Sequence, residues 1–318
     1  MWAPLLMPLL AVPIARLLAG KVAPCLASWL LAGTAAALAA GSTAALGLLV
    51  GAGLLHLPSV AASGDLSLTL LRRASPAAVP EACAGGLYLA VSLTFMAWTA
   101  QRRLADLSRA RRAVRSGPGG LTVLAEDYPE AYAVPGRPGR VVVTAGMLRA
   151  LGVREREVLF AHERAHLAYR HHWFNVVADL AAVLHPALRG LRAPLLYNLE
   201  RWADESAVRA VGDRRLVARA IGRAALARAQ AGPRPCPPAT MPSATAGPVP
   251  RRVAALLAEA PPAGARLLPG VAAALVACLV SSVGGAYDAA TDLHGRMEAV
   301  EAHADPGAAQ RALAVRPS

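Results

Sequence analysis

Four long apolar stretches decide what this chain can fold into. A hydrocarbon layer of about 30 Å takes roughly 20 helical residues to cross, and the stretches run from Trp2 to Leu18, Cys25 to Leu55, Ala82 to Thr99 and Leu267 to Tyr287. With 55% hydrophobic residues over 318 positions, the chain is too apolar for an ordinary water-soluble enzyme. Pro4, Pro8 and Pro13 interrupt the first stretch and Arg16 closes it; lacking the basic start of a signal peptide, it reads as a retained span. The second is over-long and carries Gly47 and Gly51 at the G-x-x-x-G spacing, which either lets another helix approach closely or, in so Ala/Gly-rich a stretch, arises by chance and has no role.

The arginines set the expected orientation, because short loops beside spans keep Lys and Arg on the cytoplasmic side. Arg16 and Lys21 lie between the first two stretches, Arg102 to Arg115 follow the third, and Arg251, Arg252 and Arg266 precede the fourth. All are cytoplasmic if the N-terminus is outside, with Arg72 and Arg73 as the minority against. The formal charge of +13 is mostly arginine, and topology with headgroup contact explains the basic run better than nucleic acid does. The four cysteines stand singly, so neither a disulfide framework nor a thiolate metal site is encoded. Charged residues are almost absent from the stretches, which argues against a transporter.

Between the third and fourth stretches lies one block, Gly117 to Ala263, large enough for a compact core. Leu121 to Ala125, Ala131 to Val134 and Arg140 to Thr144 are short runs between turn formers and read as strands. Arg154 to His172 lacks Gly and Pro and reads as one helix; Leu199 to Val211 and Asp213 to Ala231 read as two more, followed by a Pro-rich linker. The expected division is residues 1–103 as a three-span membrane region, 104–264 as a cytoplasmic catalytic domain, 265–287 as a fourth transmembrane helix and 288–318 as a disordered tail. Val141 to Thr144 is either an edge that pairs with an extended substrate or a plain core strand.

On the first of those helices, His162 and His166 are four apart, a spacing that lets both imidazoles grip one metal ion, and Glu163 sits where it can act as a base. A surface helix rich in His and Glu is the bland alternative. Tetrahedral Zn²⁺ needs a third ligand and leaves one place for water. His172 stands where an elongated motif puts a third histidine, but that motif turns on Gly and this chain has Tyr169. If the helix runs on, His172 points away by 3.6-residue geometry, and Glu200 must complete the site with Asp204 holding an imidazole. Tyr197, Asn198, Arg201, Arg209, Arg251 and Arg252 are candidate oxyanion donors.

His162-Glu163-Arg164-Ala165-His166 followed by Glu200-Arg201-Trp202-Ala203-Asp204 resembles the paired motifs of integral-membrane gluzincins, the CAAX prenyl endopeptidase and HtpX-like group and the BlaR/MecR-type signal-transducing metallopeptidases. The stretches from Ala131 to Gly136 and from Val141 to Leu148 resemble the strands before their zinc helix, and the order of spans looks most like the BlaR/MecR type. The resemblance implies a multi-span α-helical membrane protein with about four transmembrane helices and a mainly α (α+β) zincin-like domain. It implies zinc on His162, His166 and Glu200, Glu163 as general base and Asp204 behind a ligand. The implied activity is a zinc endopeptidase of the bacterial plasma membrane that cuts a protein substrate such as a cytosolic transcriptional repressor, in contact with lipid and not with nucleic acid. The chain stops about thirty residues past Tyr287, so the penicillin-binding sensor domain of that type is expected to be lacking. A zinc-stabilised scaffold without catalysis is the alternative, and Glu163 argues against it.

Overall fold

The structure is a computed structural model that describes residues 3–18, 22–63, 76–114, 120–232 and 248–258, with single positions at 69, 273, 276, 277, 280 and 284. Helix α1 (Ala3–Leu18) contains Pro8 and Pro13, and α2 (Pro24–Leu54) opens on a proline whose missing N–H costs nothing in a first turn. A short α3 (Pro58–Ser63) precedes α4 (Ala78–Ala113), a single helix of 36 residues. Two helices, Pro24–Leu54 and Ala78–Arg112, are long and apolar enough to cross a membrane. The apolar part of α1, Leu5–Ile14, is shorter than a span requires, and the fourth expected stretch lies almost wholly outside the described residues.

After α4 come β1 (Leu121–Leu124), β2 (Ala131–Val134) and β3 (Arg140–Thr144), ordered β1-β3-β2, with β1 parallel and β2 antiparallel to β3. Val141 to Thr144 is therefore the central strand and is paired on both sides. The edges open to an added strand are β1 and β2, because the long-range parallel pairing of Leu121 to Leu124 occupies the position expected for a substrate. Thr144 ends β3 and caps α5 (Ala145–Ala150): its Oγ accepts from Met147 N at 3.2 Å and donates to Tyr128 O at 2.7 Å. Gly146 sits where an added Cβ would lie 1.9 Å from Asp127 O, so only glycine lets the two segments cross there.

The rest is helical: α6 (Val153–Ala168), α7 (His171–Leu184), α8 (Arg189–Val211), α9 (Arg214–Gln230) and α10 (Val249–Leu257). Gly212, left-handed at φ 79°, stops α8, and Asp213 then caps α9 by accepting from Leu216 N at 2.9 Å. Leu31 and Leu38 of α2 share one buried cluster with Phe174 of α7 and Leu195, Leu199 and Trp202 of α8, so the apolar helices pack directly on those that carry the candidate site. The close approach that Gly47 and Gly51 would allow occurs elsewhere on α2. Both of those glycines face open space, whereas a Cβ on Gly53 would meet that of Ala82 on α4 at 2.0 Å.

Candidate metal centre

Helix α6 starts at Gly152, whose N–H donates to the returning carboxylate of Glu155 at 2.9 Å, and Arg223 donates to the same oxygen at 3.0 Å. Two turns on, the helix presents His162, Glu163 and His166, all buried, to the face of α8 that carries Glu200 and Asp204. His162 Nε2 and His166 Nε2 are 3.2 Å apart, and Glu200 oxygens lie 3.5 Å and 3.6 Å from them. Bonds of about 2.0–2.2 Å at tetrahedral angles place ligand atoms about 3.4 Å apart. Two imidazoles and a carboxylate at these separations thus fit one zinc ion, and the remaining ligand position falls to water or substrate.

A second layer orients the first. His162 Nδ1 is 3.0 Å from Asp204 Oδ1, and Arg252 of α10 holds Asp204 with two bonds, 2.8 Å from Nε and 2.6 Å from a terminal nitrogen. The other terminal nitrogen of Arg252 is 2.9 Å from Glu200, so one fully buried guanidinium balances both carboxylates. On the opposite side His171 Nδ1 is 2.9 Å from His166 Nδ1. With His166 Nε2 turned to the cluster, the assigned tautomer has its Nδ1–H donating to His171.

His171 reaches that place because the chain turns after α6. Helix is interrupted at Tyr169, and Arg170 takes the left-handed conformation at φ 53°, at a cost of about 1–2 kcal/mol for a residue with a Cβ. The continuous helix expected from Arg154 to His172 is therefore two helices. Tyr169 stacks on Trp202 with ring centres 4.7 Å apart, and His171 lies 4.8 Å from the same indole, contacts that hold the turn without glycine. The turn does not make His172 a ligand. It delivers His171 to His166 and leaves His172 facing a separate cavity with Arg111 and Arg170.

Electrostatics follow from burial and from these pairs. Burial, helped by the charge of Glu200 and opposed by those of His162, Arg228 and Arg252, raises the Glu163 carboxyl to about 7. Burial opposes charge on His162, but Asp204 and Glu200 outweigh it and raise that imidazole to about 10, whereas burial takes His166 down to about 3. Burial would raise Asp204, yet Arg252 and His162 bring it down to about 2. The site thus keeps one carboxyl group poised near neutrality beside two carboxylates that stay ionised. Glu163 Oε1 is buried with no hydrogen-bond partner among the described residues. A cavity of about 20 Å³ against His162, Ile221 and Arg252 has room for about one water.

Of the candidate oxyanion donors, Arg252 is committed to the carboxylates, Asn198 Nδ2 donates to Pro194 O at 2.9 Å, and Arg209 bonds the Ser206 hydroxyl at 2.8 Å. Tyr197 stays on the Glu200 face, one turn earlier, with Arg251 5.3 Å from its ring. Sequence reasoning missed His171 and read Arg252 as a possible oxyanion donor, not as the partner of Asp204 and Glu200. His171 would have been found by recognising the turn at Arg170; the pairing of Arg252, 48 residues from Asp204, left no local signal.

Neither the curated proteins nor the solved structures include a match to this chain. Residues 99–230 match Peptidase family M48, a stretch that begins within α4, ends with α9 and contains every residue of the cluster except Arg252. The buried group of His162, His166 and Glu200, able to hold a metal ion, thus lies in a domain similar to the metallopeptidases of family M48, and the chain is supported as a metal-dependent peptide hydrolase.

Proposed function

We propose that this protein is a membrane-embedded zinc endopeptidase in which His162, His166 and Glu200 hold the ion, Glu163 is the general base, and Asp204, Arg252 and His171 position the ligands. The observation that carries the reading is the cluster itself: three buried donor atoms of the types zinc prefers, all within 4.8 Å of one another, with a buried carboxyl group beside them. A zinc ion bound there supplies Lewis acidity toward a peptide carbonyl and lowers the pKa of water. Glu163 accepts a proton from the attacking water at Oε1 and returns it to the leaving amine nitrogen. Asp204 and His171 keep the two imidazoles in the tautomers that turn Nε2 inward. Burial of the whole set keeps bulk water from competing.

Membrane embedding is supported by the outer face of α4, where Leu87, Phe95 and Trp98 are 69%, 55% and 47% exposed along the apolar run. A contiguous apolar face of that kind is unfavourable in water and natural against lipid. The arginines after it favour a cytoplasmic catalytic domain, and a protein segment in the cytosol as the substrate. Regulatory cleavage of a repressor rests on the BlaR/MecR-like order of elements.

The test is Glu163→Gln in the full-length, zinc-loaded protein. The substitution keeps size and removes basicity, so zinc content should stay at one per chain while cleavage of an unfolded protein substrate falls by about 10²–10⁴-fold. Full cleavage by Glu163→Gln would move the chemistry elsewhere and leave the zinc-stabilised scaffold as the better description of this cluster.

A further inference from the structure

On the far side of the α6–α7 turn from the metal cluster lies a cavity of about 790 Å³. We propose that it is an anion site that takes a phosphate group, free or esterified. It is lined by Arg111 from the end of α4, Arg137 from the β2–β3 connection, Arg140 from the start of β3, Arg170 from the turn and His172 from α7, with no Asp or Glu among the described lining residues. The arginine run after the third apolar stretch accounts for Arg111 alone; Arg137 with Arg140, and Arg170, come from two further parts of the sequence and are brought to one concavity by the fold. Several guanidinium forks on one cavity exceed what a single carboxylate would neutralise and suit a multiply charged group with three acceptor oxygens.

Three local features point the same way. Arg111 Nε donates to Pro135 O at 2.7 Å, which fixes the arm where it lines the cavity. Arg170 occupies a left-handed position that glycine would fill more comfortably, and its side chain lines the cavity. Burial lowers the pKa of His172, and Arg111 and Arg170 lower it further, as expected where positive potential is concentrated.

Two sources of phosphate fit this chemistry. Arg102 stacks on Trp98 at 3.8 Å and marks the membrane surface if α4 spans. Arg111 follows nine residues later, about 14 Å along the helix, whereas the headgroup layer is about 5–8 Å thick. That height favours a soluble phosphate ester, or a lipid whose headgroup carries phosphate well out from the bilayer. The site itself does not depend on the peptidase reading.

The experiment is calorimetric titration of full-length, zinc-loaded protein in neutral detergent with inorganic pyrophosphate and, separately, with dihexanoyl phosphatidic acid, using dihexanoyl phosphatidylcholine, zwitterionic and without net charge, as the control. Saturable binding should weaken by about tenfold or more in Arg111→Ser and in Arg137→Ser, two exposed positions away from the turn that delivers His171, whose variants should keep their full zinc content. Binding of both probes supports recognition of the phosphate group itself; phosphatidic acid alone supports a lipid source and pyrophosphate alone a soluble one. No saturable binding of either probe, or equal binding by both variants and the wild type, overturns the proposal.

Discussion

In the zinc reading, His166 and His171 illustrate how one proton would fix a metal ligand. If the 2.9 Å contact between their Nδ1 atoms holds His166 in the tautomer that turns Nε2 inward, His171→Ala should weaken zinc binding by about 10–100-fold while leaving a site that refills at higher zinc. Asp204→Ala should do the same through His162. His172→Ala should leave zinc affinity unchanged, because that ring faces the arginine-lined cavity. Competition against a chelator of known affinity measures all three; a large loss in His172→Ala with none in His171→Ala would mean that the turn is built the other way round.

At the scale of elements, the α6–α7 junction offers a separate test. Arg170 holds a left-handed conformation that glycine adopts at no steric cost, so Arg170→Gly should stabilise the protein by about 1 kcal/mol, read as a higher midpoint of thermal unfolding. A lower midpoint would show that the arginine side chain contributes more than its backbone strain costs. The same junction marks where the sequence was least legible. Leu121 to Leu124, Ala131 to Val134 and Arg140 to Thr144 announced themselves as strands through β-branched and apolar residues between turn formers. The break at Tyr169 had no Gly or Pro to signal it, being imposed by stacking on Trp202, a residue 33 positions away. The rank of β3 within the sheet was hidden for a related reason, since parallel pairing with β1 is a long-range choice that local pattern does not encode. The cluster was easier to read: His162, Glu163 and His166 lie on one helix at a fixed period, and Glu200 and Asp204 repeat that period on another. Arg252 carries no such period relative to them.

For the whole molecule, the membrane reading predicts a sidedness. With Cys25, Cys83, Cys236 and Cys278 replaced, Ser59→Cys on α3 should react with an impermeant maleimide added to intact cells, and Arg154→Cys at the start of α6 should react only after permeabilisation. The reverse pattern would place the catalytic domain outside and exclude a cytosolic substrate. A final consequence follows from α4 being one unbroken helix of 36 residues, about 54 Å long against a hydrocarbon thickness of about 30 Å. Arg103 pairs with Asp179 of α7 and Arg111 bonds Pro135 O, so the projecting end of α4 is riveted to the catalytic body at two heights. There is no slack joint between anchor and blade. In the membrane reading the helix is then a ruler with a fixed offset, and a peptide bond is in range only when its own tether brings it to the level at which these two contacts hold the metal cluster.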